Sequence, residues 1–354
     1  MTRFIGWAAT VVVALGASLA QGQTRIQGAG ASFPNPLYQK WVVEYGKIHP
    51  DVKIDYQSIG SGGGIKGITD KTVDFAGTDA PMSKKEREAA GAEIAHLPTV
   101  AGSVVAAFNL PDFKGDLKLS GPILADIYLG KIAKWNDAKI AALNGDLKLP
   151  DLAITPVYRT DGSGTNFVFT NYLTTQSETF LKEVGPGKQV KWPLGQGGKG
   201  SEGVTAAVQS TKGSIGYVEM NYAVENKLPF ALLQNKDGKF VKASPDSVAA
   251  AGEGALKAME KSLAVDLWNQ SGEAAYPIAA FTYILVYQDL SYMKDQAKAK
   301  ALVDFLWWAT HDGQKMAADM QYAPLSPGVQ KKVEQAIGSL MFDGKAIRPV
   351  EAGK

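Results

Sequence analysis

Short runs of β-branched and apolar residues alternate with helix-forming stretches along nearly the whole chain. Val52–Tyr56, Asp74–Thr78, Ser103–Asn109, Ile154–Tyr158, Ser214–Val218 and Thr282–Gln288 read as strands bounded by turn residues. Between them, Pro34–Ile48 opens with proline near its first turn, and Ser83–Ala90 opens with a capping serine. Ser120–Gly130 carries Ile123, Leu124, Ile127 and Tyr128 at helical spacing. Gln296–Thr310, Gly313–Met320 and Val329–Leu340 read as closing helices. This alternation predicts an α/β fold with mostly parallel sheets flanked by helices. The length of 354 residues suits about two domains. Phe305, Trp307 and Trp308 share a helix with Leu302, Val303 and Leu306, so they read as core rather than as a ligand platform.

Glycine marks the places where chemistry can happen. Gly28-Ala29-Gly30-Ala31-Ser32-Phe33 leads into the first helix. Gly60-Ser61-Gly62-Gly63-Gly64 lies between a strand and Ile65–Thr69, and Arg159-Thr160-Asp161-Gly162-Ser163-Gly164-Thr165 between a strand and Asn166–Leu173. A helix N-terminus offers unpaired N–H groups and the positive end of its dipole. Glycine lets the backbone come close to a ligand there, and hydroxyls add donors. One such loop is an ordinary turn; three in one chain, one of them with an arginine, point to a compact oxyanion. Arg159 and Asp161 read together as a cation and the carboxylate that holds it, against the plainer reading of a surface ion pair.

Other patterns lead nowhere. Gly62-x-Gly64-x-x-Gly67 matches a dinucleotide fingerprint in form, but a lone match is weak, and Asp74 and Asp79 lie too near to serve as the acid expected about 20 residues on. Gly195-Gln196-Gly197-Gly198-Lys199-Gly200 is not a phosphate-gripping P-loop, because Lys199 is followed by glycine. Glu86 and Glu88 read as a solvated helix face. With 37 Lys and Arg against 35 Asp and Glu, the chain has no basic field for nucleic acid. There is no cysteine, and the three histidines, His49, His96 and His311, are far apart. Neither a metal site nor a cofactor is expected.

Met1–Ala20 has one early cation, Arg3, an apolar stretch from Ile5 to Leu15 and then small residues. That is the layout of a cleaved export signal, with cleavage expected after Ala20 or, as the alternative, after Gly22. The apolar run is short for a span of about 20 residues. An absence of cysteine suits an oxidising compartment.

GAGASFPNPLYQKW, YQSIGSGGGIKGI, VDFAGTDAPMS, LGKIAKWND, RTDGSGTNFVFTNYL, VKWPLGQGGKG and IGYVE together resemble the phosphate-binding proteins of phosphate ABC transporters, from about Ile26 to the last helix. The resemblance implies a two-lobed periplasmic binding protein fold, type II-like, with a hinge between lobes. It implies a monomer that binds inorganic phosphate, has no enzymatic activity and delivers its ligand to a membrane permease driven by an ATPase. It places residues 21–102 and 281–354 in one lobe and 103–280 in the other. Carried over by position, the phosphate ligands are Ser32, Phe33 through its N–H, Ser61, Asp79, Arg159, Ser163, Gly164 and Thr165, with Asp161 orienting Arg159. Asp79 is the acid that accepts the proton of phosphate; the plainer reading is that it holds the turn at Ala80-Pro81. A binding protein for another tetrahedral anion such as sulfate, a secreted phosphatase, and an adhesin whose glycine loops are mere turns are the competing readings.

Overall fold

The computed structural model describes residues 23–349. The expected signal segment, residues 1–20, and its cleavage points lie outside the described residues.

Eight strands form one large curled sheet. They are β1 (Thr24–Gly30), β2 (Val52–Ser58), β3 (Phe75–Thr78), β4 (Ile94–Phe108), β5 (Thr155–Arg159), β6 (Gln196–Gly198), β7 (Ser214–Glu219) and β8 (Ala279–Tyr287). The order across the sheet is β2-β1-β3-β8-β4-β7-β5-β6. β2, β1 and β3 are mutually parallel, and so are β7, β5 and β6. Between these two parallel groups run β4 and β8, antiparallel to their neighbours. β4 joins the groups: Ile94 to Ser103 pair with β8, and Val104 to Phe108 pair with β7. The α/β expectation holds, with antiparallel crossing strands added at its centre.

Each parallel group packs its own aromatic residues. Beside β2, the helix α1 (Asn35–Ile48) buries Tyr38, Trp41 and Tyr45, and Tyr45 meets Phe305 edge-on with ring centres 5.2 Å apart. The indole of Trp41 donates to the Gly313 carbonyl at 2.8 Å. On the other side, Tyr128, Phe169, Trp192 and Tyr217 pack together, with Phe169 stacked on Tyr217 at 4.2 Å. Phe305 is core as expected, whereas Trp307 and Trp308 are only half-buried. Gly313–Met320 is not the expected helix: a short 3₁₀ turn covers Asp312–Met316. Among the described residues no helix is long and apolar enough to cross a membrane.

Three more helices matter for the site: α2 (Ser61–Thr69), α3 (Gly164–Gln176) and α4 (Gly200–Ser210). Each follows a parallel strand, so its N-terminus lies at the strand's carboxyl end, where open α/β sheets gather their ligand sites.

Candidate functional site

The carboxyl ends of β1, β2, β3, β5 and β6 converge, and their loops meet across the junction of the two parallel groups. The Gly62 N–H donates to the Gly162 carbonyl at 2.7 Å. Ser32 follows β1 and is buried. Tyr222 donates to its carbonyl at 2.7 Å, and Tyr56 donates to the preceding carbonyl, Ala31, at 2.8 Å. Phe33 is fully buried, and its carbonyl accepts from the Tyr322 hydroxyl at 2.7 Å. α1 has no side-chain cap at Pro34, and α2 has none at Gly60. Gly60 sits at φ 84°, and a Cβ there would fall 2.2 Å from Asp161 Oδ2. Only glycine allows that approach.

Ser61 ties the groups together. Its Oγ accepts from the Gly164 N–H at 3.0 Å and from the Asp79 N–H at 3.3 Å. Gly164 has to be this small, because a Cβ would lie 2.5 Å from Ser61 Oγ and 2.6 Å from Asp79 Oδ2. Ser163 caps α3 by accepting from the Asn166 N–H at 3.0 Å. That contact uses a lone pair and leaves its hydroxyl hydrogen available.

Asp79 does not hold the turn. Thr78 does, accepting from the Ala80 N–H at 3.1 Å and donating to the Ala80 carbonyl at 2.6 Å. The Asp79 carboxyl is buried instead. Oδ1 accepts from Thr282 at 2.8 Å, and Oδ2 has no hydrogen-bond partner among the described residues. Burial pushes its pKa up to about 7, opposed by the Thr282 hydrogen bond and the Arg159 charge. A buried oxygen without a partner is costly, and Oδ2 is left open to a donor.

Arg159 ends β5 and is no surface residue, its side chain being 1% exposed against 12% for Asp161. The pair is bidentate, Nε to Oδ1 at 2.8 Å and Nη2 to Oδ2 at 2.6 Å. Burial works against the Asp161 charge, but Arg159 and the Gly200 N–H, 3.0 Å from Oδ1, hold its pKa below the usual value. The free edge of the guanidinium, Nη1, reaches Thr165 Oγ1 and Ser201 Oγ, each at 3.4 Å. From behind, the Tyr217 hydroxyl accepts from the Arg159 N–H at 2.9 Å and donates to Asn166 Oδ1.

The structure thus brings Ser32, Ser61, Asp79, Arg159, Gly164 and Thr165 together, with Phe33 and Ser163 beside them. One arginine, one acid and many neutral donors can spread a small anion's charge over fixed dipoles.

A family model described as the PBP superfamily domain matches residues 16–311. The phosphate-binding protein PstS of Xylella fastidiosa is 46% identical over 311 residues, covering 88% of this chain and 84% of that protein. The PstS of Pasteurella multocida is 47% identical over 315 residues, covering 89% and 90%. The chain belongs to the PstS family. The family reached from the loop motifs and the family of these relatives are the same. A solved structure of a phosphate-binding protein from Stenotrophomonas maltophilia superposes with a TM-score of 0.67 at 20% identity, over 88% of this chain and 93% of that one. That likeness speaks for the fold, which is the two-lobed fold of periplasmic binding proteins.

Sequence reasoning missed three residues that this member of the family uses to join its halves. Ser201 lies 2.9 Å from Ser32 Oγ, at the start of α4. Glu202 Oε1 accepts from Tyr222 at 3.0 Å and from Ser58 at 3.1 Å. Glu86 is no solvated face residue, because Lys188 Nζ lies 2.5 Å from its Oε1. The Gly195–Gly200 segment carried the signal for Ser201: it repeats the order of strand, glycine loop and helix found at the other loops.

Proposed function

We propose that this chain binds one inorganic phosphate between its lobes and, in the periplasm, delivers it to the permease and ATPase of a phosphate ABC transporter. The unpartnered Oδ2 of Asp79, facing a cluster of donors, carries this reading. At pH 8, above the Asp79 pKa of about 7, phosphate still holds a proton, and an ionised carboxylate can only accept a hydrogen bond. Phosphate satisfies Oδ2; sulfate would set a bare anionic oxygen against it. The ligands in this reading are Ser32, the Phe33 N–H, Ser61, Asp79, Arg159, Ser163, Gly164 and Thr165, with Asp161 holding Arg159.

Residues 21–102 and 281–354 form one lobe in this reading, residues 103–280 the other, and β4 and β8 serve as the hinge. Ser32, Ser61 and Asp79 then face Arg159 to Thr165 across the cleft, so the ligand favours the closed state that supplies both sets of contacts. The protein acts as a monomer and leaves its ligand unchanged. The histidines have other work: His96 Nε2 accepts from the Met82 N–H at 3.1 Å, and His311 pairs with Glu334 at 3.0 Å. Calorimetry of the phosphate-stripped protein at pH 8 should give one phosphate per chain and no sulfate binding at equal concentration. Small-angle scattering should show a smaller radius with phosphate. Equal affinity for sulfate, or no phosphate binding, would overturn the reading.

A further inference from the structure

We propose that Ser201 sets the direction of the Ser32 hydroxyl and so makes Ser32 a fixed donor to the bound anion; this rests on the phosphate reading above. A serine hydroxyl has one hydrogen and two lone pairs, and left alone it can point its hydrogen anywhere. Here it is not left alone. The Ser201 N–H donates to Ser32 Oγ at 3.1 Å, which occupies one lone pair. Ser201 Oγ lies 2.9 Å from the same oxygen. Arg159 Nη1 donates to Ser201 Oγ at 3.4 Å, and a guanidinium has no other role than donor. A hydroxyl that accepts from a cation is the more polarised donor, which favours Ser201 over Ser32 as the one that gives its hydrogen to this bond. Both lone pairs of Ser32 are then filled, and its hydrogen is directed away from Ser201.

The chain of donors therefore runs one way, from Arg159 through Ser201 and Ser32 to the anion, and each bond polarises the next. Both serines are about 1% exposed, so water does not compete for these bonds. The start of α4 is organised for this task. Its N-cap, Lys199, gives no side-chain cap, and the Gly200 and Ser201 N–H groups go to Asp161 Oδ1 and Ser32 Oγ instead. Ser32 and Ser201 come from opposite parallel groups, 169 residues apart in sequence. The donor is set only when those groups meet, which links closure to the making of the site.

Ser201 is thus a positioning residue, and a double-mutant cycle separates that role from direct contact or mere packing. Phosphate affinity is measured by calorimetry for the stripped parent, Ser201→Ala, Ser32→Ala and the double variant, with unfolding midpoints of the ligand-free proteins as the check on folding. Ser201→Ala should weaken phosphate binding about five- to tenfold, the scale of one buried hydrogen bond. In the Ser32→Ala background the same change should have almost no further effect. Ser201→Gly, which removes the hydroxyl without adding bulk, should repeat the pattern. Parent-like affinity in Ser201→Ala and Ser201→Gly, or an undiminished loss in the Ser32→Ala background, overturns the proposal. A parent that binds no phosphate overturns instead the reading beneath it.

Discussion

Replacing Asp79 by asparagine should stabilise the phosphate-free protein in a way that depends on pH. Moving a carboxyl pKa from 3.8 to about 7 corresponds to about 4 kcal/mol between its protonation states, at about 1.4 kcal/mol for each pH unit. Folded Asp79 keeps its proton up to about pH 7, while the unfolded carboxyl loses it near 3.8. Across that window the folded state binds the extra proton, so its stability falls as pH rises and levels off above about 7. Asparagine has no such titration. The stability difference between Asp79→Asn and parent should grow by up to about 4 kcal/mol from pH 4 to pH 8 and then stop growing. Arg159 and Glu219, the charged groups that face Asp79, are present in both proteins. Guanidinium unfolding of stripped protein at several pH values measures the difference directly. A difference that stays flat from pH 4 to pH 8 would refute the claim that Asp79 is a desolvated carboxyl. The same variant tests selectivity, because an amide can donate to sulfate: sulfate affinity at pH 8 should rise at least about tenfold. A variant that rejects sulfate as strongly as the parent would move the selectivity to other residues.

Lys188→Ala should speed phosphate release about two- to fivefold in stopped-flow measurements at low salt, since this partly buried pair across the cleft is worth about 1 kcal/mol at most. Unchanged release would remove the pair from the closed-state contacts. Lys188 is the better side to cut, because Glu86 also accepts from the Ser83 N–H at 2.7 Å and caps its own helix. If Met1–Ala20 is an export signal, sequencing of the exported protein should begin at Gln21 or Gln23, and a retained Met1 would sink that reading.

The chemistry of this site was legible because it is local. Arg159 to Thr165 carry cation, orienting acid and donors within seven consecutive residues, and glycine beside serine before a helix is a signal that needs no partner. Most strands were legible too, as β-branched runs. β1 was not. Gly28-Ala29-Gly30 has little strand propensity of its own, yet it is held between β2 and β3. Its glycines are there because neighbours leave no room: a Cβ on Gly28 would lie 2.1 Å from the Phe75 ring. Tertiary packing, not propensity, makes it a strand. β4 was seen only from Ser103, since Pro98 and Gly102 break the apolar run that leads into it. Gly313 looked like a helix start, but its carbonyl is taken by Trp41, 272 residues away. The contacts between the two groups of loops were hidden for the same reason. Ser32 meets Ser201 across 169 residues and Glu86 meets Lys188 across 102, and none of the four carries a local pattern that names its partner. The Gly195–Gly200 loop lacks the Ser or Thr after its lysine that a P-loop needs to grip phosphate itself. Its neighbouring N–H groups at Gly200 and Ser201 instead grip Asp161 and Ser32. A loop can therefore fail as a phosphate-binding motif and still decide how phosphate is held, and sequence shows the grip but not what is gripped.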